Sequence, residues 1–206
     1  MTSSDPGKPL SPRVPSSTDD SRVLAEADRL FYSVGVGLTT MKDISRASGV
    51  SRGRLARLYP TKESLAVAYV ARRHVVDVQI LESLRSSGVP PTQILSAVLE
   101  GVISDLLAPD FRGCAFLNAA AEAGLDHPNV ALAVREHRDW FSREATRLLR
   151  EAGHPVPADA ADDLLVARDG GMASVYGGNV IAAVGAMKRA IQRAFDDIER
   201  GGTPKR

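Results

Sequence analysis

One cysteine, Cys114, stands in the whole 206-residue chain, so no internal disulfide framework can form. Such a composition fits a reducing compartment, and a lone thiol of this kind reads as a small buried hydrophobe rather than an oxidation switch. No apolar run approaches the ~18–20 residues of a membrane span. The N-terminus, MTSSDPGKPLSPRVPSSTDD, lacks the apolar core of a signal peptide. The expected location is therefore the cytoplasm. The four histidines (74, 127, 137 and 154) share no metal-ligand spacing, so neither a metal site nor a cofactor is expected. No nucleophile, base and orienting group form a recognisable set, which argues against an enzyme. Strand-type alternation is missing as well.

What is present is helical in period throughout, and the expected fold class is all-α with about nine helices. Four prolines and many serines make residues 1–20 a predicted disordered tail. A DNA-binding head is expected over 21–66, a ligand-binding and dimerisation domain over 67–200, and a flexible end over 201–206. Net charge is only +1, but it is unevenly spread. Residues 21–75 carry ten Lys/Arg against four Asp/Glu, whereas 76–206 carry fourteen against eighteen. Positive charge gathered in one segment is the footprint of a polyanion binder.

Within that segment, TTMKDISRASGVSRGRLARLYPTK (39–62) reads as two short helices joined by a tight turn. Thr40 followed by Asp43 is a capping-box-like start, and Ile44 and Ala47 fall on one face. Gly49 supplies the permissive backbone of the turn, Val50 plugs the space between the helices, and Ser51 caps the second. Leu55 and Leu58 point inward, leaving Arg52, Arg54 and Arg57 outside. Three guanidinium forks on so short a helix suit the major groove. The run Gly49–Gly53 also matches the G-x-S-x-G nucleophile elbow, but an elbow needs a preceding strand and the residues here are helical.

Residues 23–35 (VLAEADRLFYSVG) and 39–65 (TTMKDISRASGVSRGRLARLYPTKESL) resemble the DNA-binding domain of TetR/AcrR-type transcriptional regulators. The glycines, the Thr-Thr pair, the ASGVS turn and the Tyr-Pro-x-Lys-Glu segment are all in register. The resemblance implies a homodimeric regulator, most simply a repressor, that binds a palindromic operator in double-stranded DNA and is released by a small effector. Its implied DNA contacts are Thr39, Thr40, Ser51, Arg52, Arg54, Arg57, Tyr59 and Lys62. Two positions depart from the family pattern, which commonly has tyrosine at Ala56 and histidine at Leu58. Those departures motivate a second reading, a helical small-molecule-binding protein with weakened operator recognition.

The segment RGCAFLNAAAEAG (112–124) resembles the start of the effector-binding region in one branch of the same family. Phe116, Asn118, His137, Trp140, Phe141, Met172 and Tyr176 are the candidate pocket residues, mostly apolar with a few polar atoms. Without a dominant buried charge among them, a small hydrophobic effector is expected. The last two helices carry small residues (Gly170, Gly171, Ser174) and an apolar stripe (Val184, Met187, Ile191, Phe195). Mid-helix glycines cost about 1 kcal/mol each relative to alanine, and the resemblance implies that these residues form the dimer interface.

Overall fold

The computed structural model describes residues 16–124 and 126–201. Among them are nine α-helices and one 3-10 turn, and no strand. The helices are α1 (Thr18–Ser33), α2 (Met41–Ser48), α3 (Arg52–Leu58), α4 (Lys62–Ser86), α5 (Pro91–Leu107), α6 (Ala115–Ala123), α7 (Pro128–Glu151), α8 (Pro157–Ala173) and α9 (Val180–Gly201), with the 3-10 turn at Ser174–Gly177. None of these helices is long and apolar enough to cross a membrane.

Helix α1 begins three residues earlier than expected. Ser17 is its N-cap, accepting from the Asp20 amide, so Thr18–Asp20 belong to the helix and not to a tail. The rest of the proposed tail, residues 1–15, lies outside the described residues, as do 202–206 of the proposed C-terminal one.

The chain divides into two compact units, Met1–Asp77 with Ala115–His137, and Val78–Cys114 with Arg138–Arg206. The expected boundary at 66/67 is therefore not where the units part. Helix α4 is too long to stop there, because Leu65, Ala66, Tyr69 and Val70 are all buried in the first unit. Further along α4, Val76 and Ile80 are exposed.

In the first unit, Val23, Leu24, Ala27 and Phe31 of α1 are buried, and Phe31 meets Tyr69 edge to face at 5.6 Å. Arg73 locks α4 to α1 with two bonds to the Asp28 carboxylate, 2.9 and 3.0 Å. In the second unit, one apolar cluster joins Ile94, Leu95 and Leu99 of α5, Leu148 and Leu149 of α7, Leu164 of α8 and Ala190 and Ala194 of α9. Trp140, Ile191 and Phe195 pack on its edge.

Candidate nucleic-acid interface and effector region

The turn between α2 and α3 is built largely as the residues require. Thr40 Oγ1 accepts from the Asp43 amide while Asp43 accepts from the Thr40 amide, the reciprocal capping box. The Thr40 hydroxyl donating to Asp43 Oδ2 at 2.5 Å, and then the Thr40 amide, hold the Asp43 carboxyl below its ordinary range. Gly49 takes a left-handed φ of +67°, which no β-branched residue would accept at that point. Val50 is buried behind it, and Ser45 Oγ donates to the Val50 carbonyl at 2.7 Å. One local expectation fails: Ala47 is exposed, and Ser48, four residues after Ile44, is the inward neighbour.

Helix α3 starts from the Ser51 cap and is pinned by Leu55. Its outer face carries Arg52, Gly53, Ala56 and Arg57, all exposed, and a Cβ added at Gly53 would meet nothing within 4 Å. Two cations flanking small residues on an open helix face make a surface that can approach a groove closely.

Not every expected DNA contact is on that surface. Tyr59 is fully buried, and its hydroxyl donates to Asp20 Oδ1 at 2.5 Å, so the ring anchors α3 on α1. Thr39 is buried too, its hydroxyl donating to the Gly35 carbonyl at 2.7 Å. Both are corrected from DNA contacts to scaffold residues. Lys62 donates to the carbonyls of Val36 (2.9 Å) and Gly37 (3.0 Å), closing the turn after α1. Arg54 is half-buried, its Nε donating to Asp19 Oδ2 at 3.2 Å and its Nη2 facing Ser17 Oγ at 3.5 Å. Asp19 and Ser17 fall in the Pro/Ser-rich segment that composition marks as a tail, although a serine three residues before an aspartate, Ser17 before Asp20, is itself a helix-start signal.

Two further ties in the first unit were not foreseen. The Glu122 carboxylate of α6 accepts the Gly37 amide at 3.0 Å and lies against Gly35, whose φ of +107° demands glycine. Glu63, in the first turn of α4, accepts the Asn129 amide at the start of α7 at 2.9 Å.

The seven candidate pocket residues fall into two groups. Phe116, Asn118 and His137 lie in the first unit. Phe116 stacks flat on His137 with ring centres 3.5 Å apart, and His137 Nδ1 is 3.2 Å from His74 Nδ1. Burial holds His74 below the ordinary histidine range. Trp140, Phe141, Met172 and Tyr176 lie in the second unit. Tyr176 is corrected as a pocket wall: it is 67% exposed, and its hydroxyl donates to the Arg112 carbonyl at 2.8 Å.

A dominant buried charge, expected to be missing, is present. Arg168 is only 6% exposed, its guanidinium 4.9 Å from the centre of the Phe141 ring. The signal was readable: Leu164, Arg168, Gly171 and Met172 fall at helical spacing on the buried stripe of α8.

The expected interface residues are also redistributed. Gly171 and Met187 pack within the chain, a Cβ at Gly171 lying 2.8 Å from Met187 Sδ. Both are therefore corrected from dimer contacts to the α8–α9 seam. Gly170 is exposed with nothing within 4 Å of a Cβ, and Ser174 Oγ donates back to its carbonyl at 2.8 Å. Val184, Ile191 and Phe195 are half-buried, and the latter two border the second unit's core. The large apolar side chains that α8 and α9 do expose are Val166 (70%) and Ile181 (88%).

Comparison with known proteins agrees with this geometry. The family of bacterial regulatory proteins called tetR matches over residues 23–69. A TetR-family transcriptional regulator from Streptomyces coelicolor is similar at 29% identity, over 87% of this chain and 95% of its own, with a TM-score of 0.78. A putative TetR-type regulator from Streptomyces avermitilis is similar at 24% identity, over 89% and 99%, with a TM-score of 0.75. The reduced form of E. coli NemR shares the fold at 15% identity, over 86% and 95%, with a TM-score of 0.74. No curated protein matches the sequence.

Proposed function

We propose that this chain, a member of the TetR family of bacterial regulatory proteins, is a cytoplasmic homodimeric repressor that a small effector releases from a palindromic operator. The coarser part, a DNA-binding transcriptional regulator, follows from the family and the fold. The observation that carries the finer reading is the exposed Arg52–Gly53–Ala56–Arg57 face of α3, set on a capped and pinned turn.

Each residue then has a task. Arg52 and Arg57 meet phosphates or base edges, and Thr40 and Ser51, exposed N-caps of the two helices, add hydroxyls for phosphate contacts. Asp19 takes the Nε edge of Arg54 and leaves Nη1 uncommitted among the described residues. A carboxylate buttress of this kind orients the fork for the two acceptors of a guanine. Two heads about 34–36 Å apart read the two halves of a palindrome. Val166, Gly170 and Ile181, the open parts of α8 and α9, supply a dimer face. Effector binding shifts the dimer between DNA-competent and incompetent states, with Glu122 and Glu63 passing the change from α6 and α7 to the turn around Gly37 and to α4.

Selection from a random duplex pool tests this reading. The native chain should enrich a two-fold symmetric site, Arg54→Ala should lose one guanine per half-site, and Asp19→Asn should relax that position alone. Light scattering should show a dimer at micromolar concentration. The second reading, a ligand-binding protein with weakened DNA recognition, is favoured by the intramolecular bonds of Arg54 and Lys62. A pool that yields no enriched sequence would decide for it.

A further inference from the structure

We infer that Arg168 is the recognition point for an anionic group, and that the effector of this chain is an apolar carboxylate and not a neutral compound. The inference rests on the effector-responsive reading above and names the chemistry of its ligand. Its observations all lie in the second unit. The Arg168 side chain is 7% exposed, and its Nη1 donates to Asp169 Oδ1 at 2.9 Å. The same carboxylate, through Oδ2, also binds Arg138 Nη1. Two guanidinium cations therefore share one carboxylate, and the cluster carries one positive charge in excess. The Phe141 ring offers the guanidinium a π face, which helps but brings no counter-charge.

The unused donors lie together. Nε is buried and finds no acceptor among the described residues. Among the described residues Nη2 has only the Cys114 sulfur at 4.0 Å, a weak acceptor at a long distance. Nε and Nη2 share one edge of the guanidinium fork, and that edge is the one that grips a carboxylate with two parallel bonds. A buried cation with an unmatched donor costs stability unless something balances it. One carboxylate balances both the excess charge and the open edge. A doubly charged phosphate would overshoot the charge, and a neutral carbonyl could accept from the open edge but would leave the excess charge unbalanced. The apolar surroundings of this corner, Phe141 and Met172 among them, suit the body of such a ligand. Beside Cys114, the exposed Tyr176 holds the Arg112–Gly113 turn by its hydroxyl and its ring.

The test uses the full chain with two matched pairs of probes, phenylacetate against phenylacetamide and octanoate against octanamide. Melting temperature and Trp140 fluorescence are followed against probe concentration. At least one carboxylate should bind saturably, at least tenfold tighter than its amide. Arg168→Gln should remove that preference, and Arg168→Lys, which keeps the charge but not the two-donor edge, should retain part of it. Without any probe, Arg168→Gln should melt no lower than the native chain, since it removes an uncompensated cation. Equal behaviour of acid and amide, binding by neither, or a marked fall in the melting temperature of Arg168→Gln overturns the inference. A carboxylate that binds through Arg168 but leaves operator affinity unchanged upholds it and removes the effector role instead.

Discussion

Arg57 and Lys62 are both cations near the recognition helix, yet their surroundings give them different work. Arg57 is exposed and meets no carboxylate among the described residues, whereas the Lys62 ammonium is bound to two carbonyls of the turn after α1. Arg57→Ala should therefore weaken DNA binding and reduce the slope of log affinity against log salt by about one. Lys62→Ala should instead cost stability, about 1 kcal/mol for a net intramolecular hydrogen bond, and leave the slope nearly unchanged. Salt titrations beside denaturant melts separate the two, and exchanged behaviour would refute the assignment. His74 provides a pH signature. Burial lowers its pKa below 6.5 and the nearby Glu136 opposes this only in part. The unfolded chain takes up a proton near pH 6.5 that the folded chain resists, so stability should fall as pH drops below about 6.5. Thermal melts between pH 7.5 and 5.5 should show the loss, and His74→Gln should flatten it. At this scale the sequence was only partly legible. Residue type marks Arg54 and Lys62 as cations, but their partners lie 35 and 26 residues away. Tyr59 has the composition of a surface contact and the position of a core residue, and only packing against Asp20 decides between them.

Helices are where sequence and structure agree best, because a 3.6-residue period averages over many side chains. The glycines of α8 show the limit of that reading. Two adjacent small residues signal a close approach but not to what, and the two answers differ. Gly171 is pressed against Met187 of the same chain, whereas Gly170 faces open space. Gly171→Leu should overpack the α8–α9 seam and cost about 1–3 kcal/mol. Gly170→Ala should have the opposite sign for the fold, gaining about 1 kcal/mol of helix propensity. If α8 of a second copy packs over Gly170, the same methyl should weaken the dimer while the monomer becomes more stable. Melts at several protein concentrations, with sedimentation, read both effects. An Ala variant that dimerises as tightly as the native chain would place the interface elsewhere on α8 and α9. The Arg168 stripe shows a related limit: period put a charge on the buried face, but apolar neighbours made it easy to pass over.

For the whole molecule, the question is how events in the helical region reach the DNA-binding turn. The first unit contains α6 and the start of α7 as well as the three-helix head, and its two acid-to-amide ties connect them directly. Neither tie was visible in sequence, because Glu122 and Glu63 look like ordinary solvated acids until the fold brings Gly37 and Asn129 to them. If these bonds transmit the coupling, binding at one end must be felt at the other by the same free energy. Operator DNA should then slow amide hydrogen exchange over residues 115–137 as well as in the head, since a tied element opens less readily when its anchor is held. In a Glu63→Ala, Glu122→Ala double variant the slowing should be confined to the head. Operator affinity itself should change little, because neither carboxylate lies on the exposed α3 face. Should the double variant still protect 115–137 on binding DNA, coupling runs through the apolar packing of α1 and α4 and the two acids merely trim the turn.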